Sequence, residues 1–572
     1  MNVLDQLKAR FGTALPEGAD RSAFSAAVRP ATDSKFGDYQ ANGCMGLAKS
    51  TGKKPRDLAA EIAGAVDLAP IAGTPEVAGP GFLNVRLDDG WIAGALGELL
   101  NDDRLGLVAP AKRKTIVVDF SSPNVAKPMH VGHLRSTVIG DSLARILAAA
   151  GHRVIRDNHL GDWGSQFGMI LWGWKNARDE AAFASDPVGE LARLYRMVAK
   201  RIRNGETAVE EAARQETAKL HAGDPENRAL WDRFMPHCLG ALRGLYDRMG
   251  VSFDVWLGES FYDPRLASVV EDLQKKGMAV ESEGATVVFV EGIKAPFIVR
   301  KSDGAFTYAT TDLATIQYRM ETWKPDQMLY VVDSRQADHF KQLFAVARMW
   351  GHDAIDMQHV AFGTIMGADR RPFKTRDGDV VGLESLLDES AVEAYKVVQE
   401  NSPDLDPEEQ RRVAVVVGMG AIKYADLCQN RVSDYVFDWQ KMMAKNGNTG
   451  TYLQYAYART QSIFRKGETT PEAIRAARPT IFLTHPAERA IAVKLLRLPE
   501  VIELASEDLK PNILTDHLFD LANAFSTFYE ECPVLKAEST ERRESRLALC
   551  DLTGRTLKFG AGLLGIDVVD RM

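Results

Sequence analysis

The spacing of apolar residues predicts a strand, a helix and a second strand early in the second hundred residues. The run TIVVDF (115–120) is typical of a buried strand. From Gly132 to Ala150, apolar residues recur at intervals of three and four, which predicts a helix that ends at Gly151. The segment HRVIRDNHL (152–160) follows as a second strand. Such a unit is typical of a parallel sheet that binds its ligand at the carboxyl ends of its strands.

The flanking sequence predicts two further domains and an insertion. Residues 1–110 combine short helices with a strand at GPGFLNVRL, which indicates an α+β domain, and VAPAKRK (108–114) is typical of a linker. The charged segment from about 176 to 277 has a helical pattern, so we expect a helical insertion into the sheet domain. From 403 onward the pattern is almost entirely helical. We therefore predict a multidomain α/β protein with domains at 1–110, 111–402 and 403–572.

More strands are expected between the insertion and the helical domain. The candidates are ATVVFV (285–290), PFIVRK (296–301), QMLYVVD (327–333) and HVAFGTIM (359–366). The second of these begins a hairpin with an Asp-Gly turn, and a helix is expected from about Thr310. The last two complete the second half of the sheet.

Composition and charge narrow the function classes. With 70 Lys and Arg against 78 Asp and Glu, the net charge of −8 argues against a wholly basic nucleic-acid coat, but it allows a local basic face for RNA. The five cysteines lie far apart without a CxxC pair, which argues against a zinc site and a disulfide framework and favours a reducing cytoplasm. No stretch approaches the length of a membrane span, so we expect neither export nor membrane insertion.

Two histidines flank a glycine where the first strand leads into the helix. They are His130 and His133 of SSPNVAKPMHVGHLRST (121–137). Gly132 lets a flat ring lie against the backbone, and both imidazoles can donate hydrogen bonds to phosphate oxygens beside the positive helix N-terminus. A fragment of a metal site and a simple helix cap are the alternatives. A metal site would need a third ligand, which no spacing marks.

This segment and the motifs after it resemble the arginyl-tRNA synthetases, a family of class I aminoacyl-tRNA synthetases. HVGH is similar to the HIGH signature of that class. The likeness continues over nearly the whole chain, most weakly in the first hundred residues, through DNHLGDWGSQFGM, TYATTDLA, VVDSRQADH, MGADRRPFKTRDG, IKYADL, NTGTYLQYAYAR and VVDRM.

The resemblance implies a Rossmann-like catalytic domain, an N-terminal domain that touches tRNA and a C-terminal helical domain that binds the anticodon. The implied enzyme activates L-arginine with ATP to arginyl-adenylate and transfers it to the terminal adenosine of tRNA-Arg. Magnesium would accompany ATP, no dedicated metal site is expected, and the protein would be a cytoplasmic monomer. The family usually needs its tRNA for activation, and we expect that dependence here.

The resemblance also assigns residues to ATP. It implies that His130, Gly132 and His133 bind the nucleotide. Lys374 is the residue of RPFKT (371–375) that fits the KMSKS loop, and Lys127 holds the place of a lysine thought to stabilise phosphate in this family. Solvated loop charge is the alternative for both lysines. The GDWG segment, with Gly161, Asp162 and Trp163, is expected to line the adenylate pocket, or else to form a tight turn packed by Trp163.

Arginine recognition has its own chemical requirement. A guanidinium presents five donors in a plane and stays charged, so its site must supply carboxylates or amide oxygens. Tyr308 and Asp312 are four residues apart and would share one face at the start of a helix, and Asp119 lies near the end of the first strand. The resemblance maps the substrate contacts to Asp119 and Asn124 around the α-amino end, to Tyr308 and Asp312 around the guanidinium, and to Gln336. Taken singly, Asp312 could be a helix-start residue and Tyr308 a half-buried strand aromatic.

Contacts with tRNA are assigned by the resemblance to the helical domain. Tyr452, Tyr455 and Arg459 recur at spacings of three and four, and Phe464, Arg465 and Lys466 follow closely. Bases can stack on aromatic and guanidinium faces, although such a stripe is also typical of a helix core.

Two other functions compete with the ligase. An RNA-binding derivative without catalysis would need a damaged HVGH segment or acidic pocket, and neither is damaged. A small-molecule nucleotidyltransferase would have no use for the C-terminal helical domain.

Overall fold

The computed structural model describes residues 2–125, 127–373 and 381–572. The chain divides into two compact units, each treated separately below. The first comprises Met1–Pro110, Tyr395–Tyr424 and Met442–Met572, and the second comprises Ala111–Ala394 and Ala425–Lys441.

The N-terminal part of the first unit is an α+β fold. Its four-stranded antiparallel sheet has the strand order β1-β2-β4-β3, and the strand predicted in GPGFLNVRL is β4. The elements are α1 Val3–Thr13, α2 Arg21–Ala26, β1 Val28–Pro30, the 3₁₀ turn Ser34–Phe36, β2 Tyr39–Ala41, α3 Cys44–Thr51, α4 Pro55–Ala65, β3 Glu76–Ala78, β4 Phe82–Val85 and α5 Asp89–Leu99.

The second unit is built on a parallel sheet. Five strands pair in the order β12-β11-β5-β6-β7, which confirms the predicted parallel sheet, and β5, α6 and β6 form the predicted unit of strand, helix and strand. From residue 115 to residue 366 the elements are β5 Thr115–Phe120, α6 Val131–Ala149, β6 Arg153–Leu160, α7 Ser165–Ala177, α8 Glu180–Ser185, α9 Pro187–Arg203, α10 Thr207–His221, α11 Pro225–Arg248, β7 Val255–Gly258, α12 Glu259–Lys275, β8 Ala279–Ser282, β9 Ala285–Val288, β10 Phe297–Arg300, α13 Tyr308–Thr322, β11 Gln327–Val331, the 3₁₀ turn Ser334–Gln336, α14 Ala337–Trp350, β12 Asp356–His359 and β13 Ile365–Met366.

The remaining elements are nearly all helical, as predicted for the C-terminal part. They are α15 Leu383–Asn401, α16 Pro407–Leu427, β14 Tyr435–Val436, α17 Trp439–Met442, α18 Gly450–Lys466, α19 Pro471–Ala477, α20 Pro486–Leu496, α21 Leu498–Glu507, α22 Pro511–Glu531 and α23 Thr540–Leu563. Across the described ranges, no helix is both long and apolar enough to cross a membrane.

The expectation that 176–277 is helical throughout is wrong at β7. This strand pairs in parallel with β6 from Asp157↔Val255 to Leu160↔Gly258, so it is the edge strand of the parallel sheet. Its four residues, VWLG, stand between two charged helices and are too short to show a strand period. The insertion is therefore confined to the helices that precede β7.

Two further strand expectations need correction. The strands predicted at 285–290 and 296–301 exist as β9 and β10, but they form a separate antiparallel sheet with β8. The second arm of the predicted hairpin is only a bridge, Arg300↔Phe306, because α13 begins two residues later. The strand predicted at 359–366 is wrong, since β12 ends at His359 and β13 pairs with β14 instead of the parallel sheet.

Helix α6 lies unusually close to β5. A Cβ on Gly140 would lie 2.3 Å from side-chain atoms of Phe120, so only glycine allows this approach. The apolar face of α6 is buried, as its spacing predicts, through Leu134, Val138 and Leu143. This packing carries the N-terminus of α6 to the carboxyl edge of the sheet.

Candidate active site

The chain leaves β5 through two strained residues. Ser121 and Ser122 have φ values of +69° and +44°, a region that side chains other than glycine rarely adopt. Hydrogen bonds hold this turn, since Ser121 N donates to Ser136 Oγ at 2.8 Å and Ser136 Oγ donates to Val331 O at 2.6 Å. Strain of this kind costs about 1–3 kcal/mol per residue and tends to occur at functional sites. Here it joins the ends of β5 and β11 to α6.

His130 and His133 cap the helix with the same ring atom. Nδ1 of His130 accepts from Gly132 N and Nδ1 of His133 accepts from His130 N, both at 3.1 Å, and the ring centroids lie 4.1 Å apart. A neutral imidazole whose Nδ1 accepts must carry its proton on Nε2. The helix-cap alternative is therefore correct, and it still leaves each Nε2–H to donate to a ligand.

Both imidazoles are held neutral. The pKa of His133 is lowered to about 4, mainly by burial and in part by the neighbouring His130. Burial also lowers the pKa of His130, with a contribution from the positive charge of Lys127. A neutral ring of this kind carries its proton on Nε2 and brings no charge of its own into the site. Both rings therefore suit hydrogen bonds to phosphate oxygens.

Gly132 makes room for a ring that belongs to the protein itself. A Cβ at this position would lie 2.8 Å from Cε1 of His130, so the space beside the backbone is taken by the protein's own imidazole. Lys127 lies near both histidines, with its Nζ 5.1 Å from the ring centroid of Tyr195. Lys374, the other lysine predicted to serve the phosphates, lies outside the described residues.

The backbone at 381–383 pairs with the start of the HVGH segment. Val131 N donates to Val381 O at 2.9 Å, and Leu383 N donates to Met129 O at 3.0 Å. An antiparallel bridge between His130 and Gly382 lies between these bonds. The first histidine is thus fixed by its own chain and by a second segment.

The GDWG segment lies beside the loop that precedes the histidines. Asn124 and Gly161 form a parallel bridge, and a Cβ on Gly161 would lie 2.4 Å from Asn124 Oδ1. Gln166 Nε2 donates to Asn124 Oδ1 at 3.0 Å and to Gly161 O at 3.2 Å. The Asn124 side chain is exposed, so it remains accessible to a ligand.

The side chains of Asp162 and Trp163 serve the protein itself. Asp162 accepts from N and Oγ of Ser260 at 2.9 and 2.6 Å, and burial raises the pKa of Asp162. Trp163 is 7% exposed and donates from Nε1 to Asp263 at 3.2 Å. This is the packed turn that the sequence left as the alternative, so a nucleotide contact here would come from Gly161 and the backbone.

Tyr308 and Asp312 lie on one face of α13, as predicted, and a third residue joins them. His339 Nε2 donates to Asp312 Oδ2 at 2.7 Å, and the ring centroids of His339 and Tyr308 are 4.8 Å apart. Tyr308 is the first residue of α13 and is 65% exposed, so it is not the half-buried strand aromatic of the alternative. Gln336 is exposed, at the end of the 3₁₀ turn one helical turn before His339.

Asp119 does not join this open group. It is 6% exposed, its Oδ2 accepts from Arg319 NH2 at 2.5 Å, and its Oδ1 accepts from Ser122 Oγ at 2.9 Å. Arg319 is fully buried and also pairs with Asp157, whose pKa is raised by burial against the opposing effect of Arg319. In this state the Asp119 carboxylate stabilises the sheet edge.

Glu259 is an acidic residue of the site that the sequence analysis missed. It is the first residue of α12, next to Ser260, whose N and Oγ donate to Asp162 of the GDWG segment. Burial raises the pKa of Glu259, as do the negative charges of Asp162 and Asp312. Two carboxylates that disfavour each other's charge are suited to a cationic ligand between them.

The sequence analysis missed three residues, and only two of them had a signal in the sequence. His339 stands three positions after Gln336 in VVDSRQADH, and Arg319 is seven after Asp312 on the same helix, so helical spacing could have indicated both. Glu259 had no such signal, because it follows the short strand β7 that the sequence pattern did not show.

In the first unit, some of the predicted RNA-contacting residues line a cavity, whereas others are engaged within the protein. The guanidinium of Arg459 lies between two rings, 4.9 Å from Tyr455 and 5.3 Å from Tyr529, beside a cavity of about 640 Å³. Arg465, Lys466 and Arg571 also line this cavity. The hydroxyl of Tyr452 instead donates to Asn523 on α22 at 2.9 Å, and Phe464 is buried.

Comparisons with known proteins agree over the whole chain. Three family models match: "Arginyl tRNA synthetase N terminal domain" at residues 3–87, "tRNA synthetases class I (R), catalytic domain" at 95–439 and "DALR anticodon binding domain" at 453–572. The arginine–tRNA ligases of Rhodopirellula baltica and Cellvibrio japonicus are 45% and 44% identical, each with 100% of both chains covered.

Solved structures show the same architecture. The arginyl-tRNA synthetase of Plasmodium falciparum superposes with a TM-score of 0.84 at 27% identity, covering 100% of this chain and 99% of its own. That of Thermus thermophilus has a TM-score of 0.83 at 26% identity, covering 99% and 100%. The chain therefore belongs to the arginyl-tRNA synthetase family of class I.

Proposed function

We propose that this chain joins L-arginine to tRNA-Arg at the expense of ATP. The arginine carboxylate attacks the α-phosphorus of ATP, and a P–O bond to pyrophosphate breaks. A hydroxyl of the terminal adenosine of the tRNA then takes the arginyl group from the adenylate, and AMP leaves. The observation that carries the proposal is the capping of α6 by two Nδ1 atoms, which leaves the Nε2–H of each ring to donate to a phosphate. We propose a cytoplasmic monomer as the working form.

The histidines would act on the phosphates. Negative charge builds on the phosphate oxygens as the carboxylate attacks, and fixed donors gain most from charge that appears only in the transition state. His130 and His133 need no change of protonation for this task, because their neutral rings already present Nε2–H. Lys127 would add positive charge at the same place, and Lys374 is proposed to act there on resemblance alone.

The acidic group on α12 and α13 would hold the guanidinium. Asp312 and Glu259 supply carboxylate oxygens near each other, and the exposed ring of Tyr308 offers a face on which a guanidinium can stack. Asn124 and Gln336 are exposed amides for the other end of the substrate. Asp119, predicted for the α-amino end, would act there only through its internal pair with Arg319.

Magnesium is proposed to enter with ATP. Within residues 2–125, 127–373 and 381–572 there is no group of three or more His, Cys, Asp or Glu arranged to hold a metal ion. Phosphate oxygens and water are the ligands that Mg²⁺ prefers in such sites, and its charge would neutralise that of the phosphates.

The cavity beside Arg459 is proposed to receive an unpaired base of the tRNA. Tyr455 and Tyr529 supply aromatic faces, and nearby cations supply contacts for phosphate. We propose no base contact for Tyr452, because its hydroxyl is bound to α22.

Exchange of labelled pyrophosphate into ATP tests the function. We expect exchange with arginine when tRNA-Arg is present, and little or none without tRNA. Exchange with another amino acid but not with arginine would overturn the substrate. RNA binding without exchange would favour the non-catalytic derivative, and exchange that ignores tRNA and all amino acids would favour a small-molecule nucleotidyltransferase.

A further inference from the structure

Two side chains from the helical insertion hold the main chain of the GDWG segment. His221, the last residue of α10, donates from Nε2 to Trp163 O at 2.7 Å. Trp231, on α11, donates from Nε1 to Asp162 O at 3.0 Å. Two consecutive carbonyls are therefore fixed from outside the parallel sheet.

Ring contacts also pack the side chains of the insertion against Trp163. The His221 ring stacks on Trp163 at 5.2 Å with an interplanar angle of 12°, and Trp231 meets Trp163 edge-on at 5.6 Å. The guanidinium of Arg228 lies 5.1 Å from Trp163 and 4.9 Å from Trp231. Such contacts restrict rotation of the backbone that carries Trp163.

The same backbone sets the position of Glu259. Glu259 is the first residue of α12, and Asp162 caps the start of this helix by accepting from N and Oγ of Ser260 at 2.9 and 2.6 Å. A Cβ on Gly258 would lie 2.2 Å from the Asp162 carboxyl group, so no other residue allows this capping geometry. GDWG thus fixes the start of the helix that carries Glu259.

We propose that His221 and Trp231 are positioning residues that set where the Glu259 carboxylate lies beside Asp312, and so set the selectivity of the site for a guanidinium. Asp162 contributes both the carbonyl that Trp231 holds and the carboxylate that caps α12 next to Glu259. If the backbone of Asp162 shifts, the cap shifts with it, and the start of α12 carries the Glu259 carboxylate to a new position. Recognition of a planar cation depends on such alignment. The proposal rests on the proposed function.

Steady-state pyrophosphate exchange with tRNA-Arg tests the role of Trp231. Trp231→Phe keeps the ring and removes the indole N–H, so we expect KM for arginine to rise about tenfold, the effect of one lost hydrogen bond. KM for ATP should stay within about twofold, because the histidines on α6 are untouched. Trp174→Phe is the matched control, since Trp174 packs on Phe183 and Phe234 elsewhere in the unit, and it should leave both KM values unchanged.

His221, which is exposed, offers a second test. His221→Leu removes the donor and should raise KM for arginine, whereas His221→Gln keeps an N–H at a similar reach and should restore most of the wild-type value. Equal rises in KM for arginine and for ATP, or a Gln variant no better than the Leu variant, would indicate a structural role only and overturn the proposal.

A double variant separates positioning from general stability. If Trp231 acts through Glu259, then Trp231→Phe should add little to KM for arginine once Glu259→Gln is present. The same factor in both backgrounds would contradict the proposal. A wild-type protein that exchanges with arginine while all His221 and Trp231 variants match it would refute this inference alone. A wild type that does not exchange with arginine would refute the proposed function as well.

Discussion

His339 Nε2 donates to Asp312 Oδ2 at 2.7 Å, which ties the first turn of α14 to the second turn of α13. The bond fixes one oxygen of the carboxylate and leaves the other for a ligand. The ring of Tyr308 lies 4.8 Å from the same imidazole, so the two residues predicted to hold a guanidinium share one support.

Asp312→Asn should raise KM for arginine about 10- to 100-fold, because a charge-assisted hydrogen bond to the guanidinium becomes a neutral one. KM for ATP should change little. Pyrophosphate exchange at varied arginine, and then at varied ATP, measures the two values. His339→Gln, which keeps a donor, is the matched control and should raise KM for arginine less than His339→Leu does. An Asp312→Asn variant with a wild-type KM for arginine would contradict this assignment.

His133→Asn should lower the rate of exchange about 10²- to 10³-fold, the usual cost of removing one transition-state donor. The Asn oxygen can still accept from His130 N, so the melting temperature should stay near that of the wild type. Arginine binding, measured by calorimetry, should also be preserved. His133→Gln, which reaches the Nε2 position, should retain more activity. Equal losses in rate and in arginine affinity would indicate a structural role.

The free energy of unfolding should fall as the pH is lowered, because His517 is buried in its neutral form. The pKa of His517 is lowered from its ordinary value of 6.5 to about 3, mainly by burial and in part by the positive charges of Arg497 and Lys494. Between these values the unfolded chain binds more protons than the folded one, so the free energy of unfolding falls as the pH drops from about 6.5. His133, with a pKa of about 4, acts in the same direction.

Calorimetric melting at several pH values checks this. The melting temperature of the first unit should fall less between pH 7 and pH 4.5 in His517→Leu than in the wild type. His237→Leu, at an exposed histidine, should leave the pH dependence unchanged. A His517→Leu variant that loses as much as the wild type would refute the role of this side chain.

Tyr529→Ala should raise KM for tRNA-Arg about tenfold, since stacking of one base on an aromatic ring is worth about 1–3 kcal/mol. Exchange at saturating tRNA should be unchanged, because the cavity lies in the first unit and the histidines lie in the second. Tyr529→Phe keeps the ring and should behave as the wild type. A selective loss of exchange with no change in KM for tRNA would contradict a base-binding role.

The sequence predicted those parts of the fold that have long periodic signals. Helix α6 begins one residue before the predicted Gly132, and β5 has the predicted bounds. Strand β7 was missed because four residues are too few for a period. The sequence also could not predict which sheet contains β9 and β10, since sheet membership depends on contacts between residues that are distant in sequence.

The site was predictable in its residue types more than in its contacts. Tyr308 and Asp312 share a helix face because local spacing decides it. Asp119 shows the limit, because its carboxylate is paired with Arg319, which lies 200 residues away and which no local pattern connects to it. The role of Gly132 could not be inferred either, since the ring it accommodates is that of His130.

A crystal structure with a non-hydrolysable arginyl-adenylate analogue tests the central claim most directly. We expect the guanidinium within about 3 Å of Asp312 and beside Tyr308, and Nε2 of His130 or His133 within hydrogen-bond distance of the phosphate position. A guanidinium bound away from Asp312, or both imidazoles turned from the nucleotide, would contradict the account.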